Sequence, residues 1–149
     1  MSRWKNIVLC GGVALLVAFI WLGVRVHFYI KTVVRNAYCS EWTASLVIKH
    51  LEANEEQWPD GWDALKLIYD RRAEAYPEGI WSFGELMDRV HLASSVDVEA
   101  VRRMATPLND LITLRDGRRD YWAGMEPNRM IWESLQRGDS WVDTDPDPQ

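Results

Sequence analysis

The sequence predicts an α+β protein: a long N-terminal helix, transmembrane in its first part and continuing into a small soluble head that contains a β-hairpin and a C-terminal helix. Three observations predict it. Residues 7–24 (IVLCGGVALLVAFIWLGV) run for 18 positions without a charge. No glycine falls between Gly23 and Gly61 and no proline before Pro59, so nothing breaks a helix that leaves the apolar run and continues. Further on, Leu111-Ile112-Thr113-Leu114-Arg115 and Arg118-Arg119-Asp120-Tyr121-Trp122 flank Asp116-Gly117, a residue pair suited to a two-residue hairpin turn.

Composition bounds the rest. At 149 residues, 48% hydrophobic and 26% charged, the chain suits one modest domain. Its 17 basic and 22 acidic side chains give a net charge of −5, against the basic excess of a general nucleic-acid binder. Two cysteines are too few for a disulfide framework. The charges are unevenly placed: Arg3, Lys5, Arg25, Lys31 and Arg35 stand among the first 35 residues without an acid, leaving 12 bases against all 22 acids elsewhere, a net −10.

The apolar run comes first. As a helix its 18 residues extend about 27 Å, close to a hydrocarbon slab of about 30 Å. Trp4 and Trp21 lie near its ends with Phe28 and Tyr29 just beyond, where amphipathic rings favour the headgroup layer, and Lys5 and Arg25 can snorkel outward. A cleaved secretory signal competes with this reading, but Val24-Arg25-Val26-His27-Phe28-Tyr29 lacks the small residues of a processing site. Neither Cys10 nor Cys39 has the setting of a lipoprotein anchor. Basic residues nearly balance across the run, so they leave orientation open; an uncleaved signal anchor, with the acids on the exported side, favours a cytoplasmic amino terminus.

The later elements follow in order. Val33, Ala37, Ala44, Ile48 and Leu51 form one helical stripe, with Val34, Tyr38 and Trp42 beside it, and Asn54 is a stopping point. Trp58-Pro59-Asp60-Gly61 reads as a turn into a second helix, with Asp60 as N-cap, Asp63 in the first turn, and Leu65, Ile68 and Tyr69 facing inward. Tyr76-Pro77-Glu78-Gly79 ends it. Ser82-Phe83-Gly84-Glu85 has capping-box spacing and opens a short third helix. Arg89-Val90-His91-Leu92 and Val96-Asp97-Val98 alternate as short strands. The hairpin places Ile112 opposite Tyr121 and Leu111 opposite Trp122. Pro127 starts a last helix carrying Met130, Ile131 and Leu135 inward, and Arg137-Gly138 closes it. The domains are therefore a short tail (1–6), a transmembrane helix (7–30), an extracytoplasmic α+β domain (31–138) and a disordered acidic tail (139–149).

Little in this chain announces chemistry. His27, His50 and His91 lack metal-binding spacing, and there is no nucleophile elbow or glycine-rich phosphate loop, so no cofactor, metal or catalytic residue is assigned. Asp143, Asp145 and Asp147 imitate the start of a calcium loop, but Pro146 and Pro148 interrupt it and later ligands are missing. Nine tryptophans are the unusual count. Large rings can supply core area to a domain with few Phe; alternatively Trp58, Trp62, Trp81 and Trp122 form a contact face for a glycan or partner. Cys39 is a possible intermolecular contact between parallel protomers, or a small buried residue.

The layout of an N-terminal apolar helix running into an amphipathic one and then an α+β head resembles that of type IV pilins and type II secretion pseudopilins. Their glycine followed by Phe-Thr-Leu-x-Glu is absent: Gly11-Gly12 lead into Val13-Ala14-Leu15-Leu16-Val17. Leu51-Glu52-Ala53-Asn54, Trp58-Pro59, Trp62-x-x-Leu65 and Glu126-Pro127-Asn128 are similar to small uncharacterised single-pass membrane proteins of planctomycete-type bacteria, over most of residues 38–135. That resemblance implies a fold and no activity. The expectation is a non-enzymatic interaction or assembly module, with the lipid bilayer and a protein partner or second copy as its contacts and no nucleic acid. The alternatives are a Trp-based glycan or cell-wall binding module, then an enzyme with an unrecognised carboxylate site.

Overall fold

The computed structural model describes residues 3–75, 82–121 and 124–137, with side chains over 11–74, 82–121 and 124–137. The α+β layout is as expected, with a long N-terminal helix, a two-stranded antiparallel hairpin and a C-terminal helix. Helix α1 covers Arg3–Ala53, α2 Trp62–Ala75 and α3 Phe83–Arg89. Strand β1 (Val90–Leu92) follows, then α4 (Val98–Arg103), β2 (Ile112–Leu114) and α5 (Pro127–Arg137). The chain divides into two compact units, residues 1–35 and 36–149.

In the first unit every residue from 11 to 30 is exposed, including Leu15, Leu16, Phe19 and Phe28. Gly11–Ala53 contains a helix long and apolar enough to cross a membrane, near the N-terminus. Arg25 lies over the Trp21 ring, 4.7 Å from its centroid.

In the second unit α1 behaves oppositely. Ala37, Cys39, Ala44, Leu46, Val47, Ile48 and Leu51 are buried, as are the polar Asn36, Ser40 and Thr43. Burial nearly all round marks a helix enclosed by the others rather than one laid on a surface. Leu65 and Tyr69 of α2, Leu86 of α3, Val98 and Val101 of α4, and Ile131 and Leu135 of α5 join the same core. Each fully buried Leu or Ile stabilises by about 1.5–3 kcal/mol relative to exposure. Thr43 Oγ1 donates a hydrogen bond to the Cys39 carbonyl at 2.7 Å, so this interior hydroxyl is satisfied.

Helix α1 ends where Asn54 suggests. Asn54 Nδ2 donates to the His50 carbonyl at 2.8 Å, and Glu56 N–H to Leu51 O at 2.8 Å. Glu55 and Glu56 take φ values of 50° and 59°, a left-handed exit made here without glycine. Helix α2 starts at Trp62 after Gly61, whose φ is 88°. The Asp60 cap is thus displaced: glycine makes the turn that an Asp60 cap would have made one residue earlier. Asp63 does sit in the first turn. The capping reading of α3 agrees with Ser82 Oγ, which accepts from Glu85 N–H at 3.2 Å. The Glu85 carboxylate also meets Arg89, 3.2 Å away.

Two strand expectations are corrected. Val96-Asp97-Val98 is not a strand: Asp97 caps α4, its Oδ1 accepting from Ala100 N–H at 2.9 Å, and a capped turn outcompetes two alternating valines. Nor does β2 pair with the described residues 118–121. It pairs antiparallel with β1, in the register Val90↔Leu114, His91↔Thr113 and Leu92↔Ile112. A type I′ turn needs positive φ at both central residues; Gly117 has φ 74°, but Asp116 is not in the left-handed region. Arg118-Arg119-Asp120 also offers no apolar face, whereas Val90 and Leu92 bury theirs. The expected end of α2 at 76–79, Gly138 and the acidic tail 139–149 lie outside the described residues.

Candidate functional site

The sequence-predicted site residues do not converge. Trp58 is half-buried, and its Nε1 donates to the Ala93 carbonyl at 2.8 Å. Trp62 is half-buried and meets Phe83 edge-on at 5.8 Å. Both pack on the hydrophobic core. Each ring therefore spends part of its surface holding the fold. Trp81 and Trp122 lie outside the described residues. Cys39 is 0% exposed, so its thiol sits where a partner chain's sulfur cannot reach it in the folded domain.

Two other places gather polar groups. The first is built around Asn36, the residue with which the second unit begins. Its Nδ2 donates to Asp120 Oδ2 at 2.9 Å and to Asp116 Oδ2 at 3.3 Å, while its Oδ1 accepts from Arg89 Nη1 at 2.8 Å. One buried amide thus ties the end of α3 to the loop after β2. A cavity of about 340 Å³ adjoins this latch, lined among others by Ser40, Thr113, Asp120, Tyr121 and Glu126. Asn128, a buried polar residue of its lining, is already satisfied. The Asn128 side chain accepts from Ile112 N–H at 2.7 Å and donates to Ile112 O at 3.0 Å, as a neighbouring strand would. Glu126 caps α5 by accepting from Arg129 N–H at 2.6 Å and Asn128 N–H at 3.2 Å.

The second place is smaller, about 190 Å³, between Trp42, Glu41, Ser45, Ile48, Arg72 and Met130 among others. The Arg72 guanidinium lies 4.4 Å from the Trp42 ring centroid and donates to Ser45 Oγ. Burial pushes the Glu41 carboxyl above its ordinary range, and the Arg72 charge pulls it partly back. Ionised, Glu41 is held there at a cost in desolvation; this is an environment for a structural charge pair as much as for a ligand.

Among the described residues no group of three or more His, Cys, Asp and Glu side chains could hold a metal ion. Neither Asn36, Asn128 nor the Trp42–Arg72 stack was found by motif reading. The available signal was Asn36 itself, a poor helix former in the middle of an unbroken helical run, which the helix tolerates where its side chain has work elsewhere. The class of protein this defines is an α+β domain carried on a helix suited to crossing a membrane. Comparison with family models, with curated proteins and with solved structures finds no match to the chain.

Proposed function

We propose that the protein is a single-pass membrane-anchored interaction or assembly module without enzymatic activity, its amino terminus in the cytoplasm and its acidic α+β domain outside. One observation carries the reading: within α1, every residue from 11 to 30 is exposed and most of them are apolar, whereas Ala37, Cys39, Ala44, Leu46, Val47, Ile48 and Leu51 are buried. An apolar surface on all sides of a helix needs an apolar solvent, and a bilayer is the one that matches its length. The acids, none of which precedes Glu41, then all lie on the exported side. The layout resembling pseudopilins and small single-pass bacterial membrane proteins agrees with this reading. The tryptophan-based alternative gains no support from Trp58 and Trp62, which are packed on the core.

The test is crosslinking in native membranes with an amine-reactive reagent, together with protease added to intact spheroplasts. The proposal expects crosslinked species larger than the monomer and digestion of the domain from outside. Monomers alone, or a domain protected until the membrane is opened, would overturn the assembly role or the orientation respectively.

A further inference from the structure

The Asn36 end of the soluble unit differs in charge from the end where α1 stops. Around Asn36 are Arg89, Arg115, Arg118 and Arg119, with Glu85, Asp88, Asp116 and Asp120. Three of these acids are engaged: Glu85 with Arg89, Asp116 with Arg118 at 3.5 Å, and Asp116 and Asp120 with the Asn36 amide. Asp88 stands exposed. Of the bases, Arg115 is exposed and its Nε donates only to a neutral carbonyl, that of Met87, at 2.9 Å. Arg119 is exposed and takes no hydrogen bond or ion pair among the described residues. Two guanidinium groups on this face thus lack a direct counter-charge, and Tyr121 beside them is 41% exposed. The other end of α1 is acidic. Glu52, Glu55, Glu56, Asp60, Asp97 and Glu99 gather there, with Arg102 bonded to Glu56 and Glu99. From position 36 to 53 the helix rises about 26 Å, beyond a Debye length of about 8 Å at physiological salt. A charged surface that meets the Asn36 end is therefore screened from the acids of the far end.

Chain length restricts which surface that is. Six residue-to-residue steps lead from Ile30, where the outward apolar run ends, to Asn36. However they are arranged, they span at most about 22 Å. If α1 enters a bilayer, as the proposed function holds and on which this inference rests, the Asn36 end is the part of the domain kept close to the headgroups.

We infer that this face, through Arg115 and Arg119, docks on anionic phospholipid headgroups of the bilayer that α1 enters. Guanidinium groups suit phosphate because their planar donors reach two oxygens at once, and an exposed tyrosine favours the same layer. The contact holds the domain's base against the membrane and leaves its acidic end outward for partners.

The experiment uses the full-length protein in vesicles of phosphatidylcholine, with or without about one third phosphatidylglycerol. Limited trypsin digestion is read as cleavage after Arg118 relative to cleavage after Arg71 in α2, an internal control for protease activity and folding. Anionic lipid is expected to lower the ratio about three-fold or more, and about 1 M salt, where the Debye length is about 3 Å, to restore it. The Arg115→Gln/Arg119→Gln variant is expected to give the same ratio in both lipids. An unchanged wild-type ratio in protein that resists alkaline carbonate overturns the docking while leaving the anchor intact. Protein that washes off in carbonate overturns the anchor, and the docking with it.

Discussion

Replacing Asn128 by alanine tests how the small sheet is held. Asn128 is 4% exposed, and its carboxamide occupies the position a third strand would take, satisfying both polar groups of Ile112, itself 1% exposed. It also donates to Glu126 Oε1 at 2.9 Å. Asn128→Ala removes these bonds and leaves a buried N–H and C=O without partners. A buried neutral hydrogen bond contributes about 1 kcal/mol net, and an orphaned buried group costs about 1–3 kcal/mol. Because the two penalties overlap, the expected loss is about 3 kcal/mol, a large share of the roughly 5–15 kcal/mol typical of a domain. Urea titration of the micelle-held protein, followed by tryptophan fluorescence, should lower the midpoint by about 1–2 M at unchanged slope. A midpoint shift below about 0.3 M would refute the reasoning, since it would mean that Ile112 does not depend on Asn128.

Four further outcomes follow from the same structure. Glu55→Gly should stabilise the domain by about 0.5–1 kcal/mol in the same titration, by relieving a side chain held at φ 50°. Leu65→Ala should destabilise by about 3 kcal/mol, because the side chain is fully buried in the core; a loss under about 1 kcal/mol would contradict its placement. Glu41→Gln should raise the melting temperature at pH 7 and lose that advantage in acid. The folded-state pKa of Glu41 lies above the unfolded value near 4.5, so native protein binds more protons and stability falls as pH rises between the two. With Cys10 changed to Ser, maleimide should label Cys39 only as urea unfolds the domain; rapid labelling of native protein would contradict its burial.

The sequence was most legible where one short-range force dominates. The uncharged run, the Ser82 spacing, Pro127 at the start of α5 and the stop at Asn54 each rest on local chemistry, and each appears where periodicity or capping places it. Legibility failed where long-range partners decide. Val96-Asp97-Val98 alternates like a strand, yet one Asp97 carboxylate aimed at Ala100 N–H makes it a helix start. Asp116-Gly117 looks like a hairpin turn, but the chain beyond it is drawn to Asn36, 80 or more positions away, and the strand opposite β2 comes from before α4. The polar latch was illegible for the same reason. Nothing near Asn36, Arg89 or Asp120 in sequence signals the others, and only the packing of α1 brings them together. The tryptophans were countable but their environment was not: Trp58 meets Ala93, 35 positions on, and Trp132 donates to Met104 O at 3.1 Å.

The central claim is that the apolar part of α1 resides in lipid and stays attached to the folded domain. Washing native membranes with alkaline carbonate, followed by intact-mass measurement of the pelleted polypeptide, tests both halves together. The account predicts full-length chain, still carrying residues 11–30, in the pellet. Full-length chain in the supernatant, or a mature species starting near residue 30, would contradict it.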